Sequence, residues 1–490
     1  MVDHRPTDNP LSITDNSLPI TGKRGLYLFT HDLRLEDNPA LNHLISQCES
    51  LLFVYLIDPK LTESSRHSFP RLGQHRRRFI WQSLRDLHQH LQRFGHQLHL
   101  IQGKPEKTLL ALLEKHRINL IAGSFNSGLN ETRFWQALQD QTVCQVITLH
   151  QNALFTPEHL PVAVDKIPKQ FTPFRKLADE LIMPEPVKLN PLLAQRKPMP
   201  EVETGVEPET ASQWPESPPL LSDSQTEHQP APQLDRSSYE LPISGGSEVA
   251  WNHLDHFIWK SRAIDHYKQT RNTLDIVQQP DHVSLLSGWL AQGCLSARQV
   301  WREISQYEQQ FGNNESSYWL KFELLWREFF YWNAHRLGVD LYCFAGERGK
   351  KPLTSFYAQR FKSWCEGNTA YPLVNACMKQ LKATGMLSNR GRQIVASALV
   401  NELQLDWRYG AAWFEHQLID YDPGSNYGNW QYIAGVGADP RGGRHFNLEK
   451  QASEFDPQGD FIRRWAGDDS GANTVTDAVG IDDWPLYPQD

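Results

Sequence analysis

Arg392, Asp420 and Asp422 place fixed charges of both signs in one short stretch of the sequence. Asn426 adds an amide that can donate or accept a hydrogen bond. This combination suits a cofactor whose charge changes with its redox state and whose ring edge carries both donors and acceptors. An Asp-x-Asp pair is also typical of an ordinary acidic turn at a helix end, so the residue types favour a redox-cofactor site but leave the simpler interpretation open.

Aromatic residues accompany this stretch. Trp407 lies within it and Trp430 follows it, and both carry indoles that can be oxidised. Further upstream, Trp326 belongs to a group of aromatic residues at helical spacing, a pattern that core packing alone explains. Glu323 lies one turn before Trp326, and a carboxyl group beside an aromatic wall favours a ligand cavity instead.

The amino-terminal part of the chain alternates short apolar runs with stretches of helical period. The apolar runs occupy residues 26–29, 51–57, 97–101, 120–123 and 145–149, and the helical stretches occupy residues 77–94, 106–115 and 131–138. Because strands that alternate with helices are joined by crossovers, the pattern predicts a doubly wound, parallel-sheet α/β domain over residues 24–151. From residue 246 to residue 466 the period is almost wholly helical, which predicts an all-α domain.

The remaining segments are predicted to connect or flank these two domains. The pattern breaks down over residues 152–245, where Pro, Glu, Ser and Thr accumulate, so this stretch is predicted to be an interdomain linker. Residues 1–23 and the acidic, Gly-rich residues 467–490 are expected to be disordered. A chain of 490 residues exceeds the roughly 250–300 residues at which a single core usually splits, which agrees with two domains.

Composition and charge exclude several classes of protein. No apolar run approaches the roughly 18 residues that a membrane helix needs, and the polar amino terminus lacks the apolar core of a signal peptide. The six cysteines are scattered without a Cys-x-x-Cys pair, which predicts reduced thiols in a cytoplasmic protein and no zinc, iron–sulfur or other metal site. The net charge of −8 means that nucleic acid would bind a local basic patch, and a monomer is the default expectation.

Six segments, spread over most of the chain, match the sequence pattern of one known protein family in order and spacing. They span residues 25–38, 289–296, 322–330, 383–430, 439–447 and 455–463. Their order and spacing closely resemble the photolyase/cryptochrome family, and more narrowly its cryptochrome-DASH branch. The resemblance implies that the doubly wound domain is an antenna domain, and that a long linker joins it to a carboxy-terminal helical domain that binds FAD and DNA.

The resemblance implies an FAD site made of two groups of residues. Those near the diphosphate would be Tyr267, Val283, Ser284, Leu285, Leu286 and Ser287. Those near the isoalloxazine ring would be Arg392, Asp420, Tyr421, Asp422 and Asn426, with Arg392 and Asp420 as an ion pair. Val283 replaces a usual hydroxyl residue and Leu285 a usual Lys, so the phosphates are expected to depend more on backbone amides at a helix start. Asn426 would face the flavin N5, where an amide accommodates the reduced anionic state.

The resemblance also implies a cavity for a pyrimidine dimer that is flipped out of a DNA strand. The catalytic residues would be Glu323, Trp326, Asn389, Gln393 and Tyr432. Within this set Trp326 would be the aromatic wall, and Glu323 and Asn389 would read the base edges. The DNA-binding set would contain Glu323, Trp326, Asn389 and Gln393 together with the arginines Arg271, Arg327, Arg390, Arg441 and Arg444.

Two positions of the cavity mark the branch. Gln393 and Tyr432 are typical of cryptochrome-DASH proteins, whereas duplex-specific photolyases usually carry Met and Trp there. Loss of an indole wall should weaken burial of the dimer and favour lesions in single-stranded DNA, where no stack or partner strand has to be broken. Ser388 stands where (6-4) photolyases have a catalytic His, which argues against that lesion.

Electron transfer and the antenna are the two functions for which this chain departs from its relatives. Trp430 and Trp407 match the inner and middle tryptophans of the family's photoreduction triad, but the outer position falls on Thr354, with Tyr357 as the nearest oxidisable substitute. Many DASH members hold a methenyltetrahydrofolate antenna with a Glu that aligns here with Gly128. Little or no folate is therefore expected in the purified protein, unless Glu131 compensates.

The sequence is compatible with three functions. The leading hypothesis is an enzyme, a deoxyribodipyrimidine photolyase-type lyase that uses reduced FAD to split cyclobutane pyrimidine dimers in single-stranded DNA. The alternative is a blue-light photoreceptor that binds nucleic acid or a regulatory partner and signals without repair. For either function, RNA or duplex DNA could bind non-specifically in addition to single-stranded DNA that carries a dimer. A dark flavin oxidoreductase is the weakest hypothesis because the chain lacks a nicotinamide fingerprint.

Overall fold

The computed structural model describes residues 22–65, 67, 69–199, 243–439 and 441–467. Most of the two termini predicted to be disordered, together with the Pro- and Glu-rich part of the linker, lies outside these residues. Within the described part of the chain, no helix combines the length and the apolar character that crossing a membrane requires.

A parallel β-sheet organises the amino-terminal half. Its strands are β1 (Arg24–Phe29), β2 (Ser50–Ile57), β3 (Leu98–Gln102), β4 (Leu120–Ser124), β5 (Gln145–Leu149) and the short β6 (Lys197–Pro198). The order is β3-β2-β1-β4-β5, with β6 pairing with β2, and every pairing is parallel. The central strands β1, β2 and β4 are buried along most of their length, because helices cover a sheet of this kind on both faces. The doubly wound sheet predicted from the sequence is confirmed.

Helices link the strands of this sheet. They are α1 (Pro39–Gln47), α2 (Gln74–Gln92), α3 (Pro105–Lys115) and α4 (Leu129–Gln141). Helix α1 begins where the Asn38 side chain accepts the amide hydrogen of Leu41, with Pro39 in the first helical position. Both are favourable start signals, since an Asn cap satisfies an orphan donor and Pro has no amide hydrogen to lose.

The segment between the two domains contains more regular structure than the sequence analysis predicted. It supplies strand β6, which pairs with the start of β2, and helix α5 (Phe171–Ala178). Pro173 is tolerated in α5 because it lies in the first turn, where its missing amide hydrogen costs nothing. Phe171, Phe174 and Ala178 form the buried face of α5, so this part of the linker belongs to the core.

The carboxy-terminal half is helical, as predicted. Its helices are α6 (Ser247–Asp255), α7 (Tyr267–Thr270), α8 (Ser287–Gln292), α9 (Ala297–Phe311), α10 (Glu315–Leu337), α11 (Ala358–Glu366), α12 (Pro372–Thr384), α13 (Asn389–Ser397), α14 (Trp407–Gln417), α15 (Pro423–Ala434), α16 (Leu448–Phe455) and α17 (Asp460–Arg464). Helix α15 packs against α10, α13 and α14, so it joins the elements that carry the predicted site residues.

Buried charges tie the two halves together at the carboxyl end of β1. Asp37 pairs with Arg298 of α9 at 3.1 Å, and both side chains are nearly inaccessible to solvent. Arg34, which is also buried, donates to the backbone oxygens of Gly293 and Gln151. In sheets of this type, ligands usually occupy the crevice at the point where the strand order reverses, here between β1 and β4. Near the end of β1, residues of the helical half dock instead.

Candidate active site

Arg392 of α13 and Asp420 of the loop before α15 form a bidentate ion pair. The guanidinium donates to the two carboxylate oxygens of Asp420 at 3.0 and 2.7 Å, and its Nε donates to the backbone oxygen of Leu387 at 3.0 Å. The Asp420 side chain is 3% exposed, whereas that of Arg392 is 27% exposed. Bidentate pairs of this kind are strong and fix the orientation of both partners. The pairing predicted from the sequence is therefore present in the structure.

Asp422 and Asn426 lie at the start of α15. The Asp422 carboxylate caps the helix by accepting the amide hydrogen of Ser425 at 2.7 Å, so the simpler interpretation of this acidic turn is also correct. The Asn426 side chain is buried and donates from Nδ2 to the backbone oxygen of Ala411 at 2.9 Å. This bond directs the amide of Asn426 and leaves its oxygen as the acceptor that is available to a ligand.

The Tyr421 side chain contacts the sheet-containing half of the chain. Its ring packs under the guanidinium of Arg76, a residue of α2, at 4.6 Å. Burial raises the pKa of its hydroxyl well above the ordinary value, and the nearby Glu415 carboxylate adds to the effect. The side chain thus belongs to the junction between the two halves, and a contact of Tyr421 with FAD would have to come from its backbone.

The segment predicted to bind the diphosphate has an unusual backbone. Leu285 adopts a positive φ of 51°, which is uncommon for a residue with a bulky side chain and costs on the order of 1–3 kcal/mol. The side chains of Val283 and Leu285 are buried in the hydrophobic core. Only their backbone groups are therefore available to a phosphate. Leu286 is buried as well, and the exposed Ser287 begins α8.

The Tyr267 hydroxyl lies next to Ser284 of the same segment. Burial raises the pKa of its hydroxyl to about 12, while the neighbouring Ser284 and Arg271 side chains act in the opposite direction. The Nε of Arg271 and the Oδ1 of Asn272 are buried and have no hydrogen-bond partner among the described residues. Buried polar atoms are normally satisfied, so these orphaned groups indicate that a polar ligand completes the site.

This set of residues fits FAD. A fixed ion pair, an amide oxygen and a capping carboxylate suit the ring edge, and free backbone amides next to a helix start suit the diphosphate. Arg392, Asp420, Asp422 and Asn426 would hold the ring, and residues 284–287 would hold the phosphates.

Three aromatic rings form a corner where the substrate cavity was predicted. Trp326 of α10 stacks face to face with Phe171 of α5, with ring centroids 3.7 Å apart and an interplanar angle of 9°. Tyr432 of α15 meets Trp326 edge-on at 6.0 Å. Phe171 was missed by the sequence analysis, although apolar residues at positions 171, 174 and 178 after an early Pro could have indicated a buried helix.

Glu323 lies one turn before Trp326 on α10 and forms a close ion pair with Arg271. Their side chains are 29% and 13% exposed, respectively. Burial raises the pKa of the Glu323 carboxyl above its ordinary value, although the charge of Arg271 opposes the shift. Arg271 was predicted to belong to the DNA-binding set. In the structure its guanidinium pairs with Glu323.

Helix α13 carries the other polar residues of the predicted cavity. Asn389 is exposed in the first position of the helix, and Gln393 is half-buried one turn later on the same face. Ser388 is the cap of α13, and its hydroxyl accepts the amide hydrogen of Gly391 at 3.1 Å. A capping role explains the Ser that stands in place of a catalytic His.

Two arginines predicted to contact DNA are engaged within the protein. Arg327 donates to the backbone oxygens of Asn152 at 2.6 Å and Leu290 at 3.2 Å, so it positions the linker and α8. Arg444 donates to the hydroxyl of Tyr432 at 2.5 Å and lies 3.4 Å from Asp439. Both guanidinium groups satisfy acceptors within the protein, and a contact of either residue with DNA stays a prediction.

The other two predicted arginines differ in exposure. Arg390 is half-buried, and its guanidinium packs over the rings of Phe455 at 4.7 Å and Phe446 at 5.7 Å. Burial lowers the pKa of Arg390 from its ordinary value. Arg441 is exposed, which leaves it available to a phosphate.

The two predicted electron-transfer tryptophans are buried next to α14. Trp407 begins α14 and donates its indole hydrogen to the backbone oxygen of Phe344 at 3.1 Å. The ring of Trp430 packs on the α14 backbone at Gly410, where a β-carbon would overlap it. Gly410 follows Trp407 by one turn, so the helix holds both indoles on one side of its first turns.

The predicted outer position lacks an indole, as the sequence indicated. Thr354 has a buried hydroxyl without a partner among the described residues. Tyr357 is half-buried before α11, and the guanidinium of Arg360 lies over its ring at 4.4 Å.

The carboxylate of Glu131 lies beside the predicted antenna loop. A β-carbon on Gly128 would overlap this carboxylate, so Glu131 fills the space next to the glycine. Glu131 also lies in the first turn of α4, where a negative charge is favourable.

Asp86, His90 and Glu248 could hold a metal ion by their proximity. The Asp86 carboxylate already accepts hydrogen bonds from the amide and hydroxyl of Ser247, both at 2.8 Å. These bonds join α2 to α6, which gives the cluster a structural explanation.

Two family models match the chain. Residues 25–195 match the model described as DNA photolyase, and residues 319–473 match the model described as the FAD binding domain of DNA photolyase. The sheet, the helical half and these matches together define a photolyase-type flavoprotein.

Similar proteins narrow the class further. The cryptochrome DASH of Idiomarina loihiensis is 43% identical over 94% of this chain and 96% of its own length, and that of Vibrio parahaemolyticus is 42% identical over 95% and 98%. Among solved structures, the Synechocystis sp. PCC6803 cryptochrome has a TM-score of 0.81 and 34% identity over 90% of this chain and 88% of its own. The chain belongs to the photolyase/cryptochrome family, in its cryptochrome DASH branch.

Proposed function

We propose that this protein repairs cyclobutane pyrimidine dimers in single-stranded DNA in a light-dependent reaction. Bound FAD in its reduced form supplies the electron that splits the dimer when the flavin is excited by light, and the electron afterwards returns. The chain's own residues bind the cofactor, hold the dimer in a shaped cavity and exclude water from it.

The fixed corner of Trp326 and Glu323 carries this proposal. Phe171 covers one face of Trp326, and Tyr432 meets the ring edge-on, so the indole cannot rotate freely. Arg271 fixes the carboxyl group of Glu323 one turn away on the same helix. A rigid aromatic wall beside a fixed polar group suits stacking and edge recognition of an extruded base pair. A protein that only senses light has no use for such a corner.

The preference for single strands rests on Tyr432 and Gln393. Arg444 holds the Tyr432 hydroxyl, so the ring presents an edge to Trp326 and offers less apolar surface than an indole would. A smaller wall buries less of the dimer and supplies less binding free energy. Single-stranded DNA demands less of that energy, because no base pairing has to be broken to extrude the lesion.

A light-dependent repair assay tests the proposal. Protein with reduced FAD is incubated with dimer-containing oligonucleotides, single-stranded or duplex, in light and in darkness. Repair should require light and be faster on the single strand. Trp326→Ala should lower single-strand repair by about fivefold or more, since stacking is worth about 1–3 kcal/mol per base. Glu323→Ala should also lower it, because the base edge loses a hydrogen-bond partner. Glu315→Ala is the matched control, because Glu315 is an exposed glutamate of the same helix.

FAD content and thermal melts show whether each variant is folded and loaded. Absence of repair by the parent in light, or equal repair by the parent and both cavity variants, would refute the proposed activity. Either result would favour a blue-light photoreceptor that uses the same flavin pocket.

A further inference from the structure

We infer that Tyr427 is the terminal electron donor of the photoreduction chain and passes its hydroxyl proton to the Glu415 carboxylate. The inference rests on the flavin site of the proposed function, but it concerns the loading of electrons and not the splitting of the dimer. Trp430 and Trp407 would be the first two donors, and Thr354 cannot serve as the third.

Ring geometry connects Trp407 to Tyr427. Their ring centroids are 6.3 Å apart at an interplanar angle of 78°. Tyr427 lies three residues before Trp430 on α15, so the same helix carries the first and the proposed last donor. Among the described residues, the ring contacts of Trp407 include Tyr427 and do not include Tyr357.

A proton acceptor is already in place at Tyr427. Its hydroxyl donates to Oε2 of Glu415 at 3.3 Å. The other carboxylate oxygen, Oε1, accepts from Nε of Arg71 at 2.7 Å. The Glu415 side chain is only 7% exposed, so water competes little for it. Arg71 reaches the carboxylate from the sheet-containing half of the chain.

The protonation states agree with this role. Burial raises the pKa of Tyr427 well above its ordinary value, and the Glu415 carboxylate contributes to the shift. The phenol is therefore protonated in the resting protein. Oxidation makes a phenol strongly acidic, so its proton then moves along the existing hydrogen bond to the carboxylate.

Tyr357 is less suited to lose an electron. A guanidinium lies over its ring at 4.4 Å, and a positive charge there opposes formation of a second one. No carboxylate accepts a hydrogen bond from its hydroxyl among the described residues.

The step balances in electrons and protons. Trp430 would lose one electron to the bound flavin, whose light-excited oxidised form would supply the oxidant, and Trp407 would then reduce Trp430. One electron then passes from Tyr427 to the oxidised Trp407 while one proton passes from the Tyr427 hydroxyl to Glu415. This leaves neutral Trp407, a neutral tyrosyl radical and a protonated Glu415. A thiol in solution later returns a hydrogen atom to the radical, and Glu415 releases its proton.

Time-resolved absorption and electron paramagnetic resonance of the FAD-loaded protein test the inference. The parent should form a neutral tyrosyl radical after a light flash, and Tyr427→Phe should abolish that signal and shorten the charge-separated state at least tenfold. Tyr342→Phe is the matched control: its ring lies 4.6 Å from Tyr427, and Trp407 has no ring contact with it among the described residues. Tyr357→Phe should also retain the signal. Trp407→Phe should remove it, because the radical must form through that indole.

Glu415→Gln should slow formation of the tyrosyl radical several-fold and reduce its sensitivity to deuterated solvent. Glu415→Asp, which keeps a carboxylate, should restore part of both. A tyrosyl signal in Tyr427→Phe, its loss in Tyr357→Phe, or its absence from the parent would overturn the assignment of the donor. Unchanged kinetics in Glu415→Gln would overturn the proton transfer. Repair measured after chemical reduction of FAD should be the same in Tyr427→Phe and the parent, so a failure of the repair proposal is distinguishable.

Discussion

Replacing Gly410 with Ala tests how Trp430 is held in place. A methyl group at this position would overlap the six-membered ring of Trp430, with two further ring carbons at 2.7 and 2.8 Å. Trp430 is 2% exposed and lies between α14 and α15, so its ring has no free space into which it can move. The two helices must separate, or the indole must turn.

Two opposing effects set the magnitude. Ala in place of Gly inside a helix stabilises by up to about 1 kcal/mol. Overpacking a filled core costs about 1–3 kcal/mol. The overlap involves ring carbons and not the end of a flexible side chain, so the second effect should win. We expect a net loss of about 1–2 kcal/mol and a fall in Tm of a few degrees.

Gly391→Ala provides the control. Gly391 also lies in a helix, but the atoms nearest to its added β-carbon would be 3.3, 3.5 and 3.6 Å away. Thermal melting of both FAD-loaded variants should show a lower Tm only for Gly410→Ala, and photoreduction by a solution thiol should be slower only in that variant. A Gly410→Ala protein that melts and photoreduces like the parent would refute the idea that Trp430 depends on this close contact.

Three further predictions concern the cofactors and the substrate cavity. Asn426→Asp should keep FAD but hold its reduced anionic state less well. The new carboxylate would replace the amide that donates to the Ala411 oxygen at 2.9 Å, and it would repel added negative charge on the flavin. Spectra that match the parent under reducing light would contradict the assignment of Asn426 to the flavin N5. Burial raises the pKa of the Glu323 carboxyl in the folded protein above its value in the unfolded chain. The protonated carboxyl therefore contributes its full stability below the unfolded pKa, and this contribution is lost as the pH rises through the folded pKa. Glu323→Gln should flatten this part of the Tm–pH curve, and an unchanged curve would contradict the raised pKa of Glu323. Freshly purified protein should show FAD absorption and little folate absorption, whereas a strong near-ultraviolet folate band that disappears in Glu131→Gln would show that Glu131 replaces the carboxylate missing at Gly128.

Local signals gave most of the fold. Strands β1 to β5 were predicted to within a residue or two, because near-continuous apolar runs indicate strands that are buried on both sides. The Arg392–Asp420 pair was found through a resemblance in register. Contacts between distant segments could not be predicted, because they leave no local pattern. The stacking of Phe171 on Trp326 joins residues that are far apart in sequence, and the pairing of Arg271 with Glu323 depends on how α7 packs against α10.

The buried ion pair of Asp37 and Arg298 couples the unfolding of the two halves of the chain. A fragment that contained only the helical half would leave the Arg298 guanidinium without its carboxylate partner. A fragment that contained only the sheet-containing half would likewise leave Asp37 without its guanidinium partner. Removing one partner of a buried ion pair costs about 3–5 kcal/mol, a large share of the 5–15 kcal/mol that stabilises a typical protein. The two halves should therefore denature in a single cooperative transition, and neither should persist as an autonomous folding unit after proteolytic cleavage between them.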